Sequence, residues 1–237
     1  MAKQNEPHWE RRATFGGNGL HTQCIYKSRR WMKHVASMKK ISQSAVVNLF
    51  RHHDREIINN ANNDIVVEKS TNNYELMDRG KHPYDYYLER KSQMYCINRK
   101  DVNTLCEWVV TCPKTVPKEY QKLFFEKSVD FLNQRYGTEN CIRATVHMDE
   151  ATPHMHYDFI PAVKDVKHVQ GVKICANDVM TRTEMRNFHP QFQKFMNEVG
   201  IPGANVRTGI TQRQGGNRTV KEMKYTRERD RSRERIL

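Results

Sequence analysis

Between His147 and His156 the chain gathers three histidines and two adjacent carboxylates: His147-Met148-Asp149-Glu150-Ala151-Thr152-Pro153-His154-Met155-His156. No other segment concentrates metal-ligand chemistry to this degree. In an extended strand alternate side chains share a face, so His154 and His156 project together while Met155 points away. The preceding residues alternate too, Ile142, Ala144 and Val146 forming an apolar stripe and Arg143, Thr145 and His147 a polar one. His147 thus joins the pair, and Asp149 to Pro153 becomes the turn between two antiparallel strands. Further on, Met155, Tyr157 and Phe159 face a core and Asp158 stays with the histidines. Three neutral imidazoles suit a divalent ion of transition-metal type. A site with three protein ligands keeps positions open for substrate or water, which is a catalytic arrangement rather than a structural one.

Upstream stand His52-His53-Asp54-Arg55 and Asn73-Tyr74-Glu75-Leu76. With the histidine segment, and in this order, they resemble the motifs of the MobV family of plasmid mobilisation relaxases, also called plasmid recombination (Mob/Pre) enzymes. That family belongs to the HUH endonucleases, which carry a His-hydrophobic-His metal site. The similarity extends from about Val35 to about Arg227, and His53 stands where the family usually carries asparagine. The resemblance implies metal-dependent, strand-specific nicking and strand transfer at a plasmid origin of transfer, for conjugative mobilisation or plasmid recombination. It implies His147, His154 and His156 as metal ligands, Mn²⁺ or Mg²⁺ as the ion, and plasmid DNA, double- and single-stranded, as the partner. A conjugative coupling protein is a further partner to consider.

The resemblance also makes His52 the nucleophile, its neutral imidazole attacking phosphorus to give a 5′-phosphoramidate link and a free 3′-hydroxyl. Such a link keeps the reactivity of the broken phosphodiester, so the strand can be rejoined without ATP. Glu150 is the candidate to orient or deprotonate His52. Arg55, three residues on, can hold a phosphate or that carboxylate. Asp149 is assigned to the turn or to support of a ligand from behind. Tyr74 and His53 are the alternative nucleophiles. Arg143, Tyr74, Lys221, Lys224 and Arg227 are the expected DNA contacts, and the tyrosines between Tyr84 and Tyr95 are either core or stacking platforms for unpaired bases.

Composition points the same way with less resolution. The formal net charge of +13 and a pI near 9.5 suit a polyanionic partner. The excess lies at the ends: residues 1–40 carry a net +7 and residues 207–237 a net +6, leaving a balanced centre. Two other classes fit these features: a rolling-circle replication initiator or transposase with the same site, and a non-catalytic DNA-binding protein held by counterion release. Six cysteines without Cys-x-x-Cys spacing read as reduced thiols, and no apolar run suits a signal peptide or a membrane span. A cytoplasmic protein is expected.

The elements that must position the motifs follow from periodicity. His34 to Ile41 reads as a strand, and Ser42 to about Ile57 as a helix capped by Ser42 with His52 and Arg55 near its end. Residues 58–73 read as irregular, Tyr84 to Tyr95 as helical, and Trp108 to Thr111 as a short buried strand. Pro117 to Tyr136 is the clearest helix, stopped by Gly137. Val172 to Cys175 suits a strand and Thr183 to Val199 a helix ended by Gly200. This order predicts an α+β fold, an antiparallel sheet backed by helices and HUH relaxase-like. The domain spans 33–205, between a basic extension over 1–32 and a basic segment over 206–237 that opens a helical region of a longer protein.

Overall fold

The computed structural model describes residues 35–56 and 65–206, together with Tyr225. At its centre is a five-stranded antiparallel sheet in the order β1-β3-β5-β4-β2. Its strands are β1 (Ala36–Ser42), β2 (Tyr74–Glu75), β3 (Asn103–Thr111), β4 (Cys141–His147) and β5 (His154–Phe159). A separate hairpin pairs β6 (Ala162–Lys164) with β7 (Val172–Ile174). Helices α1 (Val46–His53) and α2 (Pro83–Ser92) contribute to one core cluster, and α3 (Gln121–Tyr136), α4 (Ala176–Val179) and α5 (Arg182–Val199) to the other. The expected α+β architecture is present, with helices on both faces of the sheet.

Strand alternation divides the two cores. Cys106, Trp108 and Val110 of β3 join Val146, Met155, Tyr157 and Phe159 against Phe124, Leu132, Phe188 and Phe192. Leu105 faces the other way, into a smaller cluster with Val46, Phe50, Tyr87 and Ile142. Trp108 stacks on Phe188 at 3.6 Å between centroids. Its indole donates to Tyr136 Oη at 3.1 Å, and that hydroxyl donates to Glu184 at 2.6 Å, so the polar atoms of the larger core are satisfied.

Three sequence expectations are corrected here. The strand expected over Trp108–Thr111 is nine residues long, which brings Glu107 inside the sheet. Ser42 caps no helix by its side chain: it still pairs with Asn103, a 3₁₀ turn follows, and α1 begins only at Val46. Ile142 leaves the apolar stripe because a bulge between Cys141 and Arg143 turns it, with Arg143, toward Phe50. The stops at Gly137 and Gly200 are as expected, both with positive φ. Residues 1–32 and the basic segment beyond Val206, Tyr225 aside, lie outside the described residues. Among the described residues the cysteines are all free and no helix is long and apolar enough to cross a membrane.

Candidate active site

β4 and β5 bring the three histidines together. His147 pairs directly with His154, and His156 pairs with Thr145 one same-face step along. The ring centroids form a triangle of 5.3, 4.7 and 4.9 Å, and one ligand nitrogen of each ring lies within 4.8 Å of the others. α1 sets two further histidines against it. His52 lies 6.3 Å from His156 and His53 4.3 Å from it, centroid to centroid.

The hydrogen-bond partners of the triangle fix its proton positions. His147 Nε2 is 3.0 Å from the His53 carbonyl, an acceptor only, so this nitrogen carries the proton and Nδ1 is bare. His156 Nδ1 donates to Glu107 Oε1 at 2.6 Å, leaving Nε2 bare. His154 Nδ1 donates to the Thr152 carbonyl at 3.1 Å, leaving Nε2 bare, 3.9 Å from Glu150 Oε1. The bare nitrogens of His147 and His156 are buried without a hydrogen-bond partner. Orphaned lone pairs of this kind, each backed by an acceptor behind the ring, fit a divalent cation.

Electrostatics reinforce that state. Burial, with the charge of Arg55, pushes His147 down to about 3, and burial, with His53, lowers His156 well below its usual value. Burial would lift the Glu107 carboxyl, but the bonds from His156 and His53 hold it well below the carboxylate range. Burial likewise opposes charge on His53, yet Asp158 and Glu107 raise its imidazole to about 9. His53 is thus an imidazolium at neutral pH, its Nε2 3.0 Å from Glu107 and its Nδ1 3.1 Å from Asp158. Both its ring nitrogens face buried carboxylates, which disfavours it against His52 as the nucleophile. His52 differs, because burial, His53 and Arg55 all lower its pKa and keep it neutral.

The end of α1 is a Schellman turn. Glu56 N donates to the Arg51 carbonyl at 3.0 Å and Arg55 N to that of His52 at 3.2 Å. Arg55 occupies the left-handed position with φ 58°, where glycine is the usual residue. That conformation turns its guanidinium onto Asp149, with Nε to Oδ2 at 2.8 Å and Nη2 to Oδ1 at 2.6 Å. Nη2 also reaches Glu150 at 3.1 Å, and Nη1 is buried without a partner. Asp149 Oδ2 accepts in addition from Ser70 Oγ at 2.8 Å and Asn73 Nδ2 at 2.9 Å. These bonds overcome burial and hold its carboxyl well below the ordinary range. The turn between β4 and β5 is thereby clamped to the helix that carries His52.

The other sequence-derived candidates are distributed unevenly. Glu150 lies against Arg55 and His154, and among the described residues no hydrogen bond joins it to His52. Tyr74 pairs with Val146 and packs against the larger core, on the face opposite the histidines, so the structure does not bring it to the histidine cluster. Arg143 is buried and ion-paired with Asp54 and Glu75, which commits its Nη2 to carboxylates rather than to phosphate. The tyrosines of α2 are also engaged: Tyr87 bonds Thr104, Tyr86 bonds the Glu139 carbonyl and Tyr84 stacks on Tyr87, while Tyr95 stacks on His168. Lys221, Lys224 and Arg227 lie outside the described residues. The residue missed is Glu107. Its signal was a lone carboxylate alternating with Leu105 and Val109 in an otherwise apolar run, since a buried acid requires a partner. Asn73 was quoted within a motif but given no task; it holds the turn through Asp149 and through Met148 N at 2.7 Å.

An antiparallel sheet whose adjacent strands β4 and β5 point three histidines at one spot, beneath the end of a helix bearing two more, is the arrangement expected of the HUH class. The plasmid recombination enzyme profile matches residues 32–226, and the chain belongs to that family. A plasmid recombination enzyme of Bacillus thuringiensis is 33% identical over 173 residues, covering 70% of this chain and 38% of the relative. One of Lactiplantibacillus plantarum is 29% identical over 202 residues, covering 82% of this chain and 54% of the relative. The chain therefore spans only part of the length of these relatives. Among solved structures, the MobM relaxase domain (MOBV; Mob_Pre) bound to plasmid oriT DNA, in a Mn-bound crystal structure, superposes with a TM-score of 0.66. That match is 29% identical and covers 81% of this chain and 97% of the other.

Proposed function

We propose that this domain nicks and rejoins one strand of plasmid DNA at an origin of transfer, in a metal-dependent reaction with His52 as the nucleophile. The observation that carries the reading is the convergence of bare imidazole nitrogens from His147, His154 and His156 beside a neutral His52. It is supported by family membership and by a structural relative bound to oriT DNA with manganese. A divalent ion held by the three histidines would stabilise charge developing on the scissile phosphate. Three imidazoles suit Mn²⁺ better than Mg²⁺, which prefers oxygen ligands and retained water.

The remaining work falls to the chain. The bare nitrogen of His52 attacks phosphorus, a P–N bond forms and the bond to the 3′-oxygen breaks. The imidazole gives up its N–H proton and the leaving 3′-oxygen gains one, so the balance closes with a 5′-phosphoramidate and a free 3′-hydroxyl. Arg55, with Nη1 uncommitted, is placed to meet a phosphate oxygen while Asp149 fixes its plane. Glu150, held by Arg55, acts on His52 through its charge. A cytoplasmic location suits this reading and the free thiols, and a conjugative coupling protein is a further partner of it.

The test is incubation with supercoiled plasmid carrying the cognate origin, with Mn²⁺ or EDTA, followed by denaturing electrophoresis and mass spectrometry of the DNA-linked peptide. The expected result is a metal-dependent nick with an acid-labile adduct on the peptide containing His52. A nick without an adduct makes the domain a hydrolytic nuclease. Binding without a nick at the right origin returns the non-catalytic alternative.

A further inference from the structure

His53 is the one first-motif position where this sequence departs from the asparagine usual in the family. Its buried ring also lies behind the metal site, between two carboxylates. Glu107 and Asp158 sit directly opposite each other on β3 and β5, an arrangement that sets two carboxylates side by side in a buried sheet face. Like charges so placed are destabilising unless something lies between them. The His53 ring does so, with one nitrogen 3.0 Å from Glu107 Oε1 and the other 3.1 Å from Asp158 Oδ2. The Glu107 oxygen it touches is the same Oε1 that accepts from His156 Nδ1 at 2.6 Å. Its own carbonyl accepts from His147 Nε2 at 3.0 Å. One residue, adjacent to His52, therefore stands behind two of the three histidines.

We propose that His53 is a positioning residue: its ring holds Glu107 so that His156 presents Nε2 to the ion, and its carbonyl makes His147 present Nδ1. The same bonds fasten the end of α1, and with it His52, to the metal strands. An asparagine side chain is shorter and donates from a single nitrogen, so it cannot reach two carboxylates on neighbouring strands as a ring with two nitrogens does. This inference rests on the metal site proposed above, but it makes a claim about proton positions that stands without metal, DNA or catalysis.

The experiment uses the full chain and its variants His53→Asn and His53→Ala. Ring nitrogens are assigned by ¹⁵N NMR in EDTA, and Mn²⁺ binding is measured by calorimetry. In the wild type, His156 should carry its proton on Nδ1 and His147 on Nε2. In His53→Asn, His156 should lose its single tautomer while His147, bonded to the retained carbonyl, keeps its own. Mn²⁺ affinity should fall about 10- to 100-fold, the usual effect of losing an outer-shell partner. A folded variant with unchanged tautomers and unchanged Mn²⁺ affinity overturns the proposal. So does a wild-type His156 protonated on Nε2, a result that needs no variant to fold. Wild-type protein with the expected tautomers but no Mn²⁺ binding would sink the metal site and leave the positioning claim standing.

Discussion

The two faces of the central sheet are made by alternate residues of the same strands, and both are buried, yet their chemistry is opposite. On the α3 and α5 side lie Trp108, Val146, Met155, Tyr157 and Phe159. On the α1 side lie Glu107, Thr145, His147, His156 and Asp158, also buried. Area removed from water stabilises the first face. The second gains little, because desolvating charges costs about as much as pairing them returns. It persists because nearly every charge is answered: His53 by two carboxylates, Asp149 by Arg55, Ser70 and Asn73, Arg143 by Asp54 and Glu75. Among the buried atoms left without a hydrogen bond, which include both Asp158 oxygens and Nη1 of Arg55 and Arg143, the bare nitrogens of His147 and His156 are the ones that point where an ion would sit. One face is built for folding and the other for chemistry.

Substitutions should separate the two. The largest effect expected is from His52→Ala on the polar side, which should abolish the DNA adduct, a loss on the order of 10⁴-fold or more. Because His52 is only partly buried, the urea midpoint should move little. An adduct that survives in His52→Ala would end its assignment as nucleophile. Trp108→Ala is the mirror case, expected to cost about 3–5 kcal/mol of stability by emptying the larger core. The molecules that remain folded should bind Mn²⁺ with wild-type affinity; a weakened ion site would mean that the faces are not separable.

The histidine triangle was legible in the sequence because a spacing of two on a strand has only one geometric meaning. His147 could be added from the alternation before it, and Asp158 from the alternation after. What was not legible depended on pairing between distant strands. Tyr74 looked like a site residue until β2 paired with β4 and turned it to the other face. Glu107 looked like strand polarity until β3 extended past it and set it opposite Asp158. Ile142 changed sides through a one-residue bulge, which no periodicity announces. Helix ends marked by glycine were readable at Gly137 and Gly200, whereas the end of α1 was not, since its left-handed residue is an arginine.

The faces should also respond differently to pH in metal-free protein. His147 is held at about 3, against 6.5 unfolded, so the unfolded chain binds the extra proton. Its contribution to stability is complete above about 6.5 and is lost as pH falls from there toward 3. His53, raised to about 9, has the opposite sign: its contribution is complete below 6.5 and is lost as pH rises through 9. Stability in EDTA should therefore peak near neutrality, measured as the urea midpoint against pH. Trp108→Ala should lower that curve at every pH without moving its maximum, and His53→Asn should remove the alkaline limb. A flat alkaline limb in the wild type would mean that His53 is not charged in the fold.

The smallest effect concerns how the two faces end their helices. α3 and α5, which pack on the apolar side, are followed by Gly137 and Gly200 at φ 89° and 77°. α1, which serves the polar side, is followed by Arg55 at φ 58°. A side chain in this region costs about 1 kcal/mol or more relative to glycine, so function is being met at the expense of backbone strain. Both Arg55→Ala and Arg55→Gly remove the clamp on Asp149, and both should lose cleavage together. They should not lose stability together: the glycine variant should be more stable than the alanine variant by about 1 kcal/mol, read from urea midpoints at pH 7. An alanine variant as stable as the glycine one would show that the left-handed turn relaxes once the guanidinium is gone. In that case it is the bond to Asp149 that imposes the conformation, and the difference between the two faces would reside in side chains alone.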